Sequence, residues 1–169
     1  HNKQASWLSN QAYERGRIPI TLVLAGTIPV NYNESSDIGT DLTNLTSGGT
    51  PFTTVRTRRG QLNADLVSLF RKFDPQACGI GWFPGSGMPM PNAATKELAY
   101  SIMVRSCVSN LSFHHELGHN MGLLHDRFVH STAGNDVYNY GYVNKPKRQR
   151  TIMAYNNSCA ASGFNCTRI

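Results

Sequence analysis

Phe113 to Asp126 reads FHHELGHNMGLLHD, and the spacing within it decides what the rest of the chain has to build. Residues four apart on a helix project about 40° from one another, so His115 and His119 share a face one turn apart. One zinc ion can then reach an imidazole nitrogen of each at about 2.0–2.1 Å. Glu116 sits beside the first ligand, toward the open side of the metal, where its carboxylate can take a proton from a zinc-bound water. A helix continuing past His119 would carry His125 away. Gly122 tolerates the left-handed conformation of a helix end, so the chain can turn there and bring His125 back as third ligand. Three neutral histidines leave the ion its full double charge and an open fourth position, where the pKa of water falls to about 7.

H-E-x-x-H alone arises by chance in surface helices. Here His115, Glu116, His119, Gly122 and His125 agree with one another and with a helix interrupted between the second and third histidine. The remaining histidines have no such support. His114 is turned about 100° from its neighbour, and His1 and His130 have no spacing partner, so structural or solvated roles are expected for all three.

The 169 residues suffice for one catalytic domain with a deep cleft. Hydrophobic content of 40% and charged content of 15% argue against wholesale disorder. No apolar run approaches the roughly 20 residues that cross a bilayer. The start at His1, without a signal segment, suggests a piece processed from a longer precursor. The four cysteines contain no C-x-x-C pair, which disfavours a cysteine zinc site and favours two disulfides in an oxidising, extracellular compartment. Nearest-neighbour pairing, Cys78–Cys107 and Cys159–Cys166, is the simplest of three connectivities, and the sequence does not choose among them.

A net charge of +6 is concentrated in Arg56, Arg58 and Arg59 and in Lys145, Lys147, Arg148 and Arg150. Solvated surface is the default reading; attraction to acidic substrates or anionic polymers is the sharper one. Without aromatic interleaving or a recognition motif, nucleic-acid binding is not expected.

Ala5–Arg15 is expected to be helical. Ile18–Val30 reads as a strand, because Ile18, Ile20, Leu22 and Leu24 alternate. Asn33–Gly49 is polar and turn-rich, and Phe52 to about Asn63 suits a helix. Ala64–Phe70, Cys78–Phe83 and Tyr100–Arg105 are strand candidates, the second closed by Pro84 and a Gly/Pro/Met loop to Pro91. The active-site helix spans about Ser109–Met121. Beyond His125, loops and a final short helix are expected. Strands alternating with helices indicate an α/β sandwich.

HELGHNMGLLHD matches the long zinc motif of the metzincins, H-E-x-x-H-x-x-G-x-x-H. Met153, in TIMAY, resembles their methionine turn, which floors the three imidazoles without coordinating the metal. Asp126, together with ADLVSLF, CGIGWF and SCVSNLSFHHELGHNMGLLHD, resembles the reprolysin (adamalysin) branch, from about residue 10 to 155. Tyr155 departs from that branch: it resembles the metal-proximal tyrosine of astacins and serralysins, which suggests a bacterial reprolysin-like enzyme. Tyr155 is either a zinc ligand that swings to the oxyanion or an ordinary packed ring.

The resemblance implies a twisted mixed sheet packed with helices, an active-site helix and a mostly irregular C-terminal subdomain. The whole chain, 1–169, would be one catalytic domain, with an upper subdomain of about 1–122 and a lower one of about 123–169, and the family's first strand missing. It implies a secreted, monomeric zinc endopeptidase with His115, His119 and His125 as ligands, Glu116 as general base and Asp126 tying the ligand loop to the helix. The substrate would add as an antiparallel strand along Gly79, Ile80, Gly81, Trp82 and Phe83, the glycines permitting close approach. The primed-side pocket, shaped by the helix and Asn156–Gly163, would favour bulky apolar side chains. Calcium is neither implied nor excluded. An idle zinc-containing binding module and a zinc amidase or deacetylase are the rival readings.

Overall fold

The run Tyr100–Val104 is buried at every position, which requires cover on both faces. It is the middle strand of a sheet between two helical layers. In chain order the elements are α1 (Asn2–Arg15), α2 (Ile38–Ser47), α3 (Phe52–Gln61), β1 (Val67–Arg71), β2 (Gly79–Gly81), β3 (Tyr100–Val104), α4 (Ser112–Asn120), β4 (Val143–Asn144), β5 (Gln149–Arg150), α5 (Asn157–Ala160) and β6 (Thr167–Arg168). This computed structural model describes residues 2–85, 95–131 and 138–169; the Gly/Pro/Met loop beyond Gly85 and His1 lie outside them.

The main sheet has the order β1-β3-β2, β1 parallel and β2 antiparallel to β3. Successive β3 side chains alternate between faces. Tyr100, Ile102 and Val104 join the α2 and α3 residues Ile38, Leu42, Leu45, Phe52 and Val55. Met103 goes the other way, to Ala5 of α1 and Phe113 and Leu117 of α4. The active-site helix is thus packed directly on the sheet. Asn120, at its end, ties it there: its Nδ2 lies 2.9 Å from Trp82 O and 3.0 Å from Tyr100 O. A small second sheet, β4-β5-β6, follows the site. Cys78–Cys107 joins the start of β2 to the 3₁₀ turn Arg105–Asn110 before α4, and Cys159–Cys166 joins α5 to the approach to β6. Cross-links of this kind typically stabilise by about 2–4 kcal/mol each.

Three expectations from the sequence change. Asn33–Gly49 is not turn-rich throughout, because it contains α2. Asp37 caps that helix by accepting from Gly39 N at 3.2 Å and Thr40 N at 2.8 Å. Ile38, Leu42 and Leu45 then supply a buried face at helical spacing. Ile18–Val30 makes no strand. Leu22 finds its backbone partners in a side chain instead, donating to Asn10 Oδ1 at 2.7 Å and accepting from Asn10 Nδ2 at 3.0 Å. A cavity of approximately 1380 Å³ is lined by residues 21–34 on one side and by β1 on the other. The active-site helix also starts later than Ser109, at Ser112, after Leu111 in the left-handed region (φ 67). Among the described residues no helix is long and apolar enough to cross a membrane.

Beside β1, Arg71 is only 3% exposed and pairs with Asp41 at 3.0 Å, Asp74 at 3.6 Å and Glu34 at 3.7 Å. Removing one member of a buried ion pair strands its partner's charge. Arg71→Met is expected to lower the unfolding free energy by about 3–5 kcal/mol, measured by urea denaturation; a change below about 1 kcal/mol would assign the cluster to screened surface charge.

Candidate metal centre

α4 puts His115 and His119 on one face with ring centroids 4.8 Å apart. The helix then ends in a paired hydrogen-bond closure: Gly122 N donates to His119 O and Leu123 N to Gly118 O, both at 2.9 Å, with Gly122 at φ 84. That geometry needs a residue tolerant of positive φ, and glycine is that residue. The chain reverses, and Leu124 bridges to Tyr140 through Leu124 N to Asn139 O at 2.7 Å and Gly141 N to Leu124 O at 2.9 Å. His125 is thereby returned to the helix. Its Nε2 stands 3.0 Å from the Nε2 of His115 and 3.0 Å from that of His119.

Whether these residues suit a cation follows from where the hydrogens are. His115 Nδ1 donates to Ile152 O and His119 Nδ1 donates to Leu123 O, each at 2.9 Å. A carbonyl only accepts, so both Nδ1 atoms carry the hydrogen and both Nε2 atoms of the neutral rings are bare lone pairs. A hydrogen on His125 Nε2 can serve one of them and leaves the other opposed to it. A hydrogen on His125 Nδ1 would be buried without a partner. Three nitrogens converging in this way suit a metal ion, and the carbonyl partners fix the rings as they do around bound zinc. Burial, reinforced by the neighbouring histidines, pushes His115 down to about 4 and His125 down to about 3; burial also lowers His119. The rings are therefore neutral and free of proton competition at pH 7. Among the described residues this triad is the one group of three or more His, Cys, Asp or Glu side chains suited to holding a metal.

Glu116 lies next to the triad with its carboxyl buried, and burial raises it to about 8, opposed by the positive charge of Arg168. The glycines of β2 make room for this residue. A Cβ on Gly79 would stand 2.7 Å from Glu116 Cγ, and one on Gly81 would stand 2.8 Å from Glu116 O. Ile80 and Trp82 turn into the core, and Trp82 Nε1 donates to Thr46 Oγ1 at 2.7 Å. The regular strand stops at Gly81, so Phe83 lies beyond it. Among the described residues β2 has a strand partner on one side only, β3.

Met153 packs beneath α4, its sulfur so close to Gly118 that a Cβ there would collide with it. Asp126 accepts from Phe128 N at 3.1 Å and from Tyr155 N at 2.8 Å. It therefore ties the ligand loop to the turn after Met153, not to the helix as the resemblance implies. The Tyr155 ring lies 4.0 Å from that of His125, centroid to centroid, and burial keeps its phenol protonated above the usual range. His130 also stacks on His125, at 4.9 Å, a placement the spacing did not suggest. His114 is buried beside Phe113, apart from the triad.

A cavity of approximately 530 Å³ opens beside His115, Glu116 and Tyr155 and is bounded by Gln76–Gly79, Ser109–Ser112, Arg150 and Arg168. Arg150 was legible only as part of a basic surface cluster. Arg168 carried no signal at all, since its place depends on pairing between β5 and β6.

A model of metallo-peptidase family M12B, reprolysin-like, matches residues 5–126, a span that includes Glu116 and all three histidines. Over 163 residues the chain is 32% identical to a peptidyl-Asp metalloendopeptidase of Stenotrophomonas maltophilia (strain R551-3), covering 93% of this chain and 37% of that protein. A protein of the same name from strain K279a is 33% identical over 154 residues, covering 88% and 34%. One from Pseudomonas aeruginosa is 34% identical over 122 residues, covering 60% and 19%. The chain thus spans about a third or less of the length of these relatives. A chain in a solved chaperone–substrate complex has the same fold at TM-score 0.61 and 21% identity, over 91% of this chain and 24% of that one.

Gly122→Ala forces a Cβ into the left-handed region, at a cost of roughly 1–2 kcal/mol, and displaces His125. The variant is expected to bind zinc more weakly in competition with a chromophoric chelator; unchanged affinity would show that the reversal does not depend on glycine.

Proposed function

Because the chain belongs to the reprolysin-like M12B metallopeptidase family, we propose that it is a zinc endopeptidase in which Glu116 moves the proton. The observation that carries this reading is the meeting of three imidazole nitrogens with a buried carboxylate on the same helix, at the wall of an open cavity. His115, His119 and His125 would hold zinc, which when bound would supply Lewis-acid polarisation of the scissile carbonyl and lower the pKa of the attacking water. Glu116 accepts a proton from that water and returns it to the departing amine. The close fit of Gly79 and Gly81 against the helix holds the carboxylate in one position. Tyr155, its ring tilted against that of His125 at the cavity wall, is assigned as the phenolic donor to the oxyanion.

The substrate is an extended peptide that adds antiparallel to the free edge of β2, bonded through its backbone. It lies in a cleft between the upper part of the chain, about 1–122, and the lower part, about 123–169, which together act as one monomeric catalytic domain. The two disulfides support an extracellular place of action. The relatives' name, peptidyl-Asp metalloendopeptidase, supports aspartate as a residue at the cleaved bond.

Glu116→Gln is expected to retain one zinc per chain and to lose about 10²–10⁴-fold in kcat on an aspartate-containing peptide. Full activity in the metal-replete variant would contradict the assignment. Tyr155→Phe should lower kcat by about 10²-fold with KM little changed, whereas an unaltered kcat would make Tyr155 a packed ring only.

A further inference from the structure

The third histidine of the triad is held differently from the other two. His115 and His119 each give Nδ1 to a backbone carbonyl, Ile152 O and Leu123 O. Metal-ligating imidazoles are ordinarily oriented through that second nitrogen. Nδ1 of His125, by contrast, is buried without a hydrogen-bond partner. The chain reversal at Gly122 delivers His125 to the site, but the outer torsion of a histidine is broad, so backbone placement alone does not set the angle of the ring.

Two other rings supply the constraint. The Tyr155 centroid lies 4.0 Å from that of His125 with the planes at 33°, and the His130 centroid lies 4.9 Å away with the planes only 8° apart. Asp126 sets both of them. Its Oδ2 accepts from Tyr155 N at 2.8 Å and its Oδ1 from Phe128 N at 3.1 Å. Its carbonyl accepts from Val129 N and His130 N, each at 3.0 Å. These bonds wind residues 126–130 into one turn, which carries the His130 ring back onto the histidine five residues earlier. Nδ1 of His130 is also buried without a partner, so packing rather than hydrogen bonding through that atom places this ring. With the two planes almost parallel, what His130 presents to His125 is a ring face.

Metal binding would strengthen such a contact. An imidazole that gives a lone pair to a dication becomes electron-poor, and electron-poor groups are drawn to the negative faces of aromatic neighbours. We infer that His130 is a positioning residue, whose stacked ring holds His125 at the angle at which it ligates zinc. The stack takes the place of the carbonyl that orients each of the other two ligands. This rests on the zinc-enzyme reading above, and only on its metal-binding half.

The test compares His130→Phe, His130→Leu and His130→Ala with the wild type. Zinc affinity is measured by competition with a chromophoric chelator, and the metal geometry by the visible spectrum of the cobalt-substituted proteins. Phenylalanine keeps a ring face and has no nitrogen; leucine fills the space without a face. His130→Phe should bind zinc as the wild type does and keep its cobalt spectrum. His130→Leu should bind zinc about threefold to tenfold more weakly, with shifted cobalt bands, and His130→Ala at least as weakly. The metal-free Phe and Leu variants should melt at the same temperature. Leucine performing as well as phenylalanine would reduce His130 to bulk. A loss in His130→Phe as large as in His130→Ala would mean that a nitrogen is required. Either result overturns the inference, and so does a zinc affinity that only follows the melting temperature of the metal-free protein. Should His130→Ala fail to fold, the comparison of Phe with Leu decides alone. Peptide cleavage by each zinc-loaded protein is a separate readout. The expected zinc pattern in a chain that cuts no peptide would keep the positioning role and sink the endopeptidase reading; a zinc affinity indifferent to residue 130 would sink the positioning role whatever is cleaved.

Discussion

Two histidine nitrogens without hydrogens face a third at 3.0 Å each, and lone pairs crowded in that way are at ease only around a cation. Much of the local structure serves to hold them there. The carbonyls of Ile152 and Leu123 orient the first two rings. Gly122 reverses the chain, and the bridge from Leu124 to Tyr140 delivers the third ring. Asp126 then joins the ligand loop to the turn that carries Met153 and Tyr155. Each contact is modest alone, and the metal couples them, because binding to the folded state only adds its own free energy to stability.

The sheet contributes by its distance from the helix. With glycine at 79 and 81, β2 lies close enough to α4 for Glu116 to be enclosed, and Asn120 locks the far end of the helix to the strand backbones. Among the described residues β2 is an edge strand, and Gly79 at its start lines the cavity. Burial of Glu116 and the place of β2 beside the cavity thus come from one packing arrangement.

The triad and its helix were legible because their geometry is local: a four-residue repeat and a glycine stop determine it. The strands β1 and β3 were legible from short apolar runs. α2 was missed because Thr, Asn, Ser and Gly mask a three-residue buried face, though Asp37 before Ile38 is a capping signal. Alternation at Ile18–Leu24 misled, because the backbone of Leu22 pairs with the Asn10 side chain and not with a neighbouring strand. Arg168 was beyond reach, because a two-residue strand pairing across 17 intervening positions leaves no periodic trace. A residue such as Arg168, which lines the cavity from β6, depends on such distant pairings, whereas the histidine triad sits on one helix and its immediate return.

X-ray absorption at the zinc edge tests the central claim most directly, because it reports the ion's neighbours without relying on turnover. The account predicts one zinc per chain, with three histidine nitrogens and one lighter oxygen neighbour at about 2.0–2.1 Å, and with one imidazole lost in His125→Ala. A sulfur neighbour at about 2.3 Å, or a spectrum unaltered by His125→Ala, would contradict it.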